Sequence, residues 1–226
     1  MKTYTINKCR KAPSLEPTLG VPAVGWNGAE VATVDWFHPK SCQIRPLTYF
    51  RALYDARNIY VRFDVMDTFV KVVHTGLHSN VCCDSCVEFF IQPPAGRTYF
   101  NFEISAIGTM LLYRIADPRR VEVNGRSGFA DFAPVPPEWA GQVEIHTSLK
   151  GPVRRPISQP IAWVVAYRIP LALFTASLGV CSAGKGDVWR GNFFKCGGSD
   201  HWGMWCDVGR MLNFHQPSKF GEIVFD

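Results

Sequence analysis

Apolar and polar residues alternate in many short stretches of the chain, and this two-residue period is typical of β-strands with one buried face. In one stretch every second position is apolar, so that four side chains share a face: Ile59, Val61, Phe63 and Val65. Gly, Pro or Asn residues bound most of the stretches, as expected where strands turn. The pattern predicts strands at 48–54, 59–66, 86–92, 98–105, 108–114, 142–148, 161–169, 189–195 and 220–225.

The segments between these strands indicate turns more often than helices. Residues 98–114 predict a hairpin with a glycine at its turn. Pro170 is suited to the first position of a helix, so a short helix is predicted at 170–176. The prolines in 115–141 predict a long irregular excursion between strands, and 150–160 predicts a Pro-rich turn.

The chain of 226 residues shows no repeat, low-complexity tract or linker, so we expect one domain over residues 1–226. Apolar residues make up 47% of the chain and charged residues 19%, which is enough hydrophobic material for a full core. Short strands separated by turns predict an all-β fold. We expect a two-sheet antiparallel β-sandwich, jelly-roll-like, with one short helix.

Charge and hydrophobicity exclude two classes of function. The formal net charge is +5, but the Lys and Arg residues are scattered and form no basic stripe, so nucleic-acid binding is not expected. Apolar runs such as 161–166 are shorter than the ~20 residues of a membrane span, so membrane insertion is not expected. Residues 1–12 lack the apolar segment of a secretory signal. We therefore expect a cytoplasmic protein if Met1 is the native start, and a periplasmic or secreted one if a signal peptide was removed.

The cysteines permit three interpretations: a metal site, a disulfide or free thiols. Cys83 and Cys86 form one C-x-x-C pair, but a structural zinc site usually needs a second pair. A disulfide such as Cys196–Cys206, and a cluster assembled only in space, both stay open. Buried or free thiols are the simplest interpretation, and no metal ligand is assigned. The eight cysteines are at positions 9, 42, 82, 83, 86, 181, 196 and 206.

Four segments carry motifs in an order found in a known family. Residues 53–65 (LYDARNIYVRFDV) are similar to a turn of the form y-D-x-x-x-L-Y-v, and residues 84–91 (DSCVEFFI) are similar to a D-S-V-E-x-F strand. Residues 189–193 (WRGNF) match W-x-x-N-F, and residues 213–221 (NFHQPSKFG) end in P-x-x-F-G. In this joint order, the chain resembles the family 9 carbohydrate-binding modules and their wider relatives.

The resemblance implies a non-catalytic β-sandwich module that binds sugar chain ends or small saccharides between two aromatic rings. Modules of this kind are often attached to glycan-degrading enzymes and act in glycan utilisation and polysaccharide catabolism, including that of xylan. They can carry structural calcium ions, and no other cofactor is implied. The family's two ring positions correspond here to Cys82 and Phe214, so one of the two rings is retained.

Sugar recognition uses flat apolar rings together with groups that hydrogen-bond to hydroxyls. Glu88 alternates with core residues, so it should face away from the core, and it matches the glutamate that lies in the family's ligand cleft. The next strand offers polar residues on one face, including Ser105, and the Gly-rich loop 197–206 offers a tryptophan to replace the ring absent at Cys82. The candidate ligand-binding residues are Glu88, Asn101, Glu103, Trp202, Trp205, Phe214 and His215.

Two other functions remain as alternatives to sugar binding. The first is an interaction or structural domain that has lost its sugar site, since Cys82 replaces a ring. The second, ranked lower, is a glycoside hydrolase, which needs two carboxylates roughly 5–10 Å apart. Glu88 and Glu103 on adjacent strands meet that spacing, but no acid has a visibly desolvated setting in the sequence. The sequence also lacks the H-E-x-x-H, G-x-S-x-G and phosphate-loop motifs.

Overall fold

The computed structural model describes residues 1–20, 24–94, 96–123, 125–179, 182–197 and 200–226 of the protein. The strands are β1 (Thr3–Lys8), β2 (Val31–Thr33), β3 (Trp36–Phe37), β4 (Leu47–Tyr54), β5 (Asn58–Asp67), β6 (Val70–Val72), β7 (Cys86–Gln92), β8 (Tyr99–Ser105), β9 (Met110–Val123), β10 (Arg126–Pro134), β11 (Glu144–Thr147), β12 (Val153–Ile157), β13 (Ile161–Pro170), β14 (Val188–Gly197), β15 (His201–Met204) and β16 (Gly221–Phe225). The α-helices are α1 (Pro137–Ala140) and α2 (Leu171–Leu178), and 3-10 turns span Val81–Cys83 and Pro217–Lys219. Within the described ranges, no helix has both the length and the apolar character needed to cross a membrane.

The alternation of apolar residues predicted the positions of most strands correctly. Each of the nine predicted strands coincides with an observed one, and the helix predicted at 170–176 is α2. The irregular excursion predicted at 115–141 is wrong, because β9 continues to Val123 and pairs antiparallel with β10. The turn predicted at 150–160 contains β12, and the loop predicted at 197–206 contains β15. Both β10 and β12 lie at sheet edges, where a strand tolerates the prolines that argued against it.

The strands form two layers that are joined through β1. One layer has the order β10-β9-β8-β7-β14-β16-β1, and the other has the order β1-β4-β5-β13-β11. Shorter strands extend these layers, since β15 pairs with β14 and β3, and β2 pairs with β4. β12 and β6 form a separate two-stranded sheet. β1 pairs parallel with β16 through residues 3–6 and parallel with β4 through residues 7–8. The expected two-sheet antiparallel sandwich therefore differs from the structure at β1, which joins the two layers and pairs parallel with both of its neighbours. The structure also has a second short helix, α1, that was not predicted.

Aromatic side chains pack the two layers against each other. The ring of Phe193 on β14 stacks on Phe50 of β4, with ring centroids 3.7 Å apart, and lies 4.4 Å from the ring of its cross-strand neighbour Phe89. Trp205 meets Phe50 and Phe193 edge-on. Because side chains alternate along a strand, the neighbours of Phe193 on β14 point to the opposite surface of this layer. That outer surface carries the candidate site described below.

The first family motif forms a turn between β4 and β5. One carboxylate oxygen of Asp55 accepts the N–H groups of Arg57 and Asn58 at 2.7 and 2.8 Å. Its other oxygen accepts the hydroxyl of Tyr60 at 2.6 Å. The Asp and the Tyr of the motif therefore hold the turn by direct hydrogen bonds.

The W-x-x-N-F and P-x-x-F-G motifs also fix the course of the backbone, the first by hydrogen bonds and the second by close packing at its glycine. The Asn192 amide accepts the N–H of Cys206 at 2.8 Å and donates to its carbonyl at 2.9 Å. At Gly221, an added Cβ would lie 2.5 Å from the ring of Trp205 and 2.7 Å from the carbonyl oxygen of Lys2. Only glycine fits this approach of β16 to the core.

A fully buried ion pair joins the layers at one end. Lys195 on β14 places its ammonium 3.1 Å from the Asp67 carboxylate on β5, and neither side chain is exposed to solvent. The ammonium also donates to the Cys196 carbonyl at 3.0 Å and lies 2.7 Å from Nε2 of His201. Removing one partner of such a pair leaves an uncompensated buried charge.

We expect Lys195→Met to lower the free energy of unfolding by about 3–5 kcal/mol, because it leaves the Asp67 carboxylate buried without its cation. Lys185 and Asp226 form an ion pair of the same type whose side chains are 79% and 58% exposed. The control Lys185→Met should therefore change the free energy of unfolding far less than Lys195→Met does. Urea unfolding followed by tryptophan fluorescence measures both changes, and similar values for the two variants would contradict this role of the buried pair.

Candidate functional site

Three adjacent strands place acidic and thiol side chains on the outer surface of their layer. On β7, Val87 and Phe89 point into the core, so Glu88 points outward as predicted. Glu103 on β8 lies directly opposite Glu88, and Phe194 on β14 lies opposite it on the other side. Glu88 and Glu103 are only 2% and 4% exposed, however, so this surface is covered and not open to solvent.

The cover is formed by β15 and the segment that follows it. Trp202 on β15 pairs with Cys196 of β14 and packs beside it. The ring of Phe214 stacks on Phe194, with centroids 4.1 Å apart and an interplanar angle of 12°. Nδ1 of His215 lies 2.9 Å from the Tyr99 hydroxyl. Two aromatic side chains therefore flank the carboxylates of β7 and β8.

A cavity of about 220 Å³ lies between these carboxylates and the cover. Five of the seven candidate residues line it, together with five others. Its lining comprises Cys82, Glu88, Glu103, Arg120, Cys196, Trp202, Leu212, Asn213, Phe214 and His215. Larger depressions of about 760, 670, 400 and 270 Å³ lie elsewhere on the surface, and the last two have aromatic side chains in their lining. This cavity differs from them in combining two buried carboxyl groups with aromatic side chains.

Burial controls the charge of the two carboxylates. Desolvation raises the pKa of Glu103 to about 7, although the hydrogen bond from Asn101 and the charge of Arg120 both lower it. Desolvation also raises the pKa of Glu88 well above its usual range, and the neighbouring Cys196 and Glu103 add to this effect. Burial therefore shifts both carboxyl groups toward their neutral forms, in which a carboxyl presents a hydroxyl donor as well as acceptors.

Arg120 is the charged residue at the rim that the sequence analysis missed. Its guanidinium lies 4.0 Å from the centroid of the Phe129 ring. Desolvation, with a smaller effect of Arg120, lowers the pKa of His215 to about 3, so the imidazole is neutral. Arg120 was missed because the region around it was predicted to be irregular. Its position on β9 opposite Phe129 depends on the β9–β10 pairing.

Two candidate residues lie outside the cavity lining. Asn101 is buried beneath Glu103, donates to Glu103 Oε1 at 2.7 Å and accepts the N–H of Tyr113 at 2.8 Å, so it holds the carboxyl in place. Trp205 is 4% exposed and belongs to the core between the layers. The sequence treated Trp202 and Trp205 as equivalent, but β15 directs only Trp202 to the cavity.

The cysteines are free thiols wherever the structure describes them, and Cys181 lies outside the described residues. The interpretation of a Cys196–Cys206 disulfide is wrong, since the Cys196 sulfur lies 3.2 Å from that of Cys86 and Cys206 packs in the core. Cys86, Cys196 and Glu88 place three donor atoms within 4.8 Å of one another. Calcium takes only oxygen ligands, so this thiol-rich group is not a site for a structural calcium ion of the kind that the resemblance allows.

Comparison with models of known protein families shows which family the chain belongs to. The family model described as carbohydrate-binding family 9 matches residues 23–225. The chain belongs to carbohydrate-binding family 9. No curated protein matches it.

Solved structures share the fold of this family 9 chain. A candidate carbohydrate-binding protein from Bacteroides uniformis ATCC 8492 is 28% identical, with a TM-score of 0.80 and coverage of 100% of this chain and 99% of that one. A family 9 module from Caldicellulosiruptor kristjanssonii in complex with cellotriose is 16% identical, with a TM-score of 0.61 and coverage of 100% and 94%. A family 9 module from the same organism in complex with glucose is 17% identical, with a TM-score of 0.58 and coverage of 100% and 96%.

The neutral His215 of this family 9 chain predicts a dependence of stability on pH. In the unfolded chain a histidine binds a proton below about pH 6.5, whereas the folded pKa is about 3. At this histidine the unfolded state therefore binds more protons between these values, so His215 by itself lowers the free energy of unfolding as the pH drops from 7 to 5. The raised pKa values of Glu88 and Glu103 act in the opposite direction over the same range. The groups set against the imidazole are the Tyr99 hydroxyl and Arg120, with Glu88 and Glu103 in the same cavity.

We expect His215→Gln to remove this contribution, so that the stability of the variant relative to the unsubstituted protein rises by about 1–2 kcal/mol as the pH drops from 7 to 5. Glutamine retains an acceptor for the Tyr99 hydroxyl but binds no proton. Urea unfolding at pH 7 and pH 5 measures the difference. Parallel pH profiles for the variant and the unsubstituted protein would show that His215 does not contribute.

Proposed function

We propose that this protein binds carbohydrate without catalysis, and that the cavity above Glu88 and Glu103 holds a small saccharide or the end of a sugar chain. The observation that carries the proposal is a cavity with two carboxyl groups on its floor and two aromatic side chains, Trp202 and Phe214, in its lining. Membership of carbohydrate-binding family 9 supports it. The family 9 modules with bound cellotriose and glucose supply the sugars to test first.

The proposed contacts with the sugar are of two kinds, ring stacking and hydrogen bonding. Trp202 and Phe214 present apolar faces that can stack on the C–H face of a pyranose ring. Glu88 and Glu103 hydrogen-bond to sugar hydroxyls, and His215 lies at the same cavity. Asn101 acts through Glu103, and Trp205 supports the wall from inside the core. In this arrangement Trp202 replaces the ring that the family carries at the position of Cys82.

The cavity volume limits the size of the ligand. At about 220 Å³, the cavity lies below the roughly 300–1,000 Å³ of sites for drug-sized molecules. This size suits one or two sugar units and favours a chain end over the middle of a polysaccharide. Binding should be weak, on the order of micromolar to millimolar, because ordered water is displaced and few side chains are involved.

A broader biological role is proposed from membership of this family. We propose that the protein acts in glycan utilisation, alongside glycan-degrading enzymes and on polysaccharides such as xylan. The fold is proposed to be a jelly-roll-like sandwich whose two layers share β1. No calcium ion is required for the contacts described above.

We expect Trp202→Ala to weaken binding of glucose and cellotriose by about 10-fold, because the stacking surface is lost. The matched control is Trp36→Ala, since Trp36 is 52% exposed and does not line the cavity. This control should bind sugar as the unsubstituted protein does. Isothermal titration calorimetry with glucose, cellotriose and xylotriose measures the affinities, and circular dichroism checks folding.

The outcomes of this titration separate the two functions. Equal affinities for Trp202→Ala and the unsubstituted protein would exclude the proposed cavity as the site. Absence of binding to all three sugars by the unsubstituted protein would favour an interaction or structural domain.

We expect no release of reducing sugar from cello- or xylo-oligosaccharides, because Glu88 and Glu103 occupy directly paired positions on one sheet surface and do not flank a bond from opposite sides as the carboxylates of a hydrolase do. A reducing-sugar assay with the purified protein measures this. Turnover that is abolished by Glu88→Gln would overturn the non-catalytic proposal.

A further inference from the structure

Two cysteines that are distant in the sequence meet beneath the cavity. Cys86 and Cys196 are directly paired residues of β7 and β14, and they are 110 positions apart in the chain. Their sulfur atoms lie 3.2 Å apart, and both residues are buried. Cys196 lines the cavity, whereas Cys86 does not.

A carboxyl group completes this cluster. Glu88 lies two positions after Cys86 on the same face of β7, and its Oε1 atom is 2.9 Å from the Cys196 sulfur and 3.7 Å from the Cys86 sulfur. These three donor atoms lie within 4.8 Å of one another. The cluster therefore combines two sulfur donors with one oxygen donor in a buried site.

The spacing of these donors suits a tetrahedral ion. With Zn–S distances of about 2.3 Å, two thiolates on one zinc ion stand about 3.8 Å apart, so the sulfurs need to separate by only about half an ångström. A sulfur and an oxygen ligand stand about 3.6 Å apart, which lies between the 2.9 and 3.7 Å observed here. Small side-chain rotations are enough to accommodate the ion.

A second observation points to a bound cation. Glu103, opposite Glu88, is 4% exposed, and its Oε2 atom has no hydrogen-bond partner among the described residues. A buried acceptor without a donor is costly, and a cation or a water held by a cation would satisfy it. A Cys86–Cys196 disulfide would leave both carboxyl groups without such a partner.

We propose that Cys86, Cys196 and Glu88 bind a thiophilic divalent cation, Zn²⁺, at the floor of the cavity, with its fourth coordination position directed toward Glu103. Two thiolates exclude calcium and magnesium, which prefer oxygen, and two cysteines are too few for an iron–sulfur cluster. The three ligands bind in their deprotonated forms, so binding releases their protons to solvent. The site goes beyond the proposed sugar contacts and does not depend on them.

The test uses the full chain, reduced and freed of metal with a chelator, and then titrated with Zn²⁺, Cd²⁺ and Co²⁺. We expect one ion per chain, a thiolate-to-metal charge-transfer band with Cd²⁺ and Co²⁺, and the visible bands of tetrahedral Co²⁺. Cys86→Ser and Cys196→Ser should each lower Zn²⁺ affinity by about 100-fold or more, since loss of an outer partner alone costs 10–100-fold. Metal content by mass spectrometry and the absorption bands provide readouts independent of sugar binding.

Two further variants distinguish the loss of a metal ligand from a general effect of substitution. Cys42→Ser removes a half-buried thiol outside the cluster and should leave the affinity unchanged. Glu88→Gln keeps the volume of the side chain and should weaken binding while the thiolate band remains. An affinity for Zn²⁺ that Cys86→Ser does not change, or a Cys86–Cys196 disulfide that persists under reducing conditions and prevents metal binding, would overturn the proposal.

Discussion

The stacking of Phe193 against Phe50 is the contact on which both the fold and the site depend. It holds β14 of one layer against β4 of the other, with ring centroids 3.7 Å apart. Because side chains alternate along a strand, a Phe193 that faces the core requires Phe194 and Cys196 to face outward. A shift of one residue in this strand would exchange the two faces, placing the outer groups in the core. The packing of the core therefore determines which side chains form the floor of the cavity.

The cavity concentrates acidic groups in a place with little compensating charge. Glu88 and Glu103 lie opposite each other on paired strands, where two ionised carboxylates would repel. Arg120 approaches from the rim, and Lys195 lies on the core side, paired with Asp67. The floor can therefore remain neutral and hydrogen-bond to sugar hydroxyls as donor and acceptor, or it can lose protons to a cation. Both proposals follow from the same unfavourable burial of acids.

The motifs that relate the chain to its family act mainly on the backbone. Asp55 closes a turn, Asn192 bridges β14 to the backbone of Cys206, and Gly221 lets β16 approach Trp205. Within the D-S-C-V-E segment, Asp84 accepts two backbone N–H groups, whereas Glu88 lines the cavity. Cys82, at the position where the resemblance implies a ring, lines the cavity and takes no part in these backbone contacts.

The sequence by itself determined the features that arise from local alternation. These are nine strands, the short helix α2, and the facing positions of Glu88 and Glu103, because β7 and β8 are consecutive and pair directly. Only the tertiary structure decided that β1 pairs parallel with two strands, that Cys86 meets Cys196, and that Trp202 lines the cavity while Trp205 fills the core. The physical reason is that pairing between distant strands is selected by the packing of the whole core. A two-residue period gives the face of each residue relative to its own strand but carries no information about which distant strand will lie beside it.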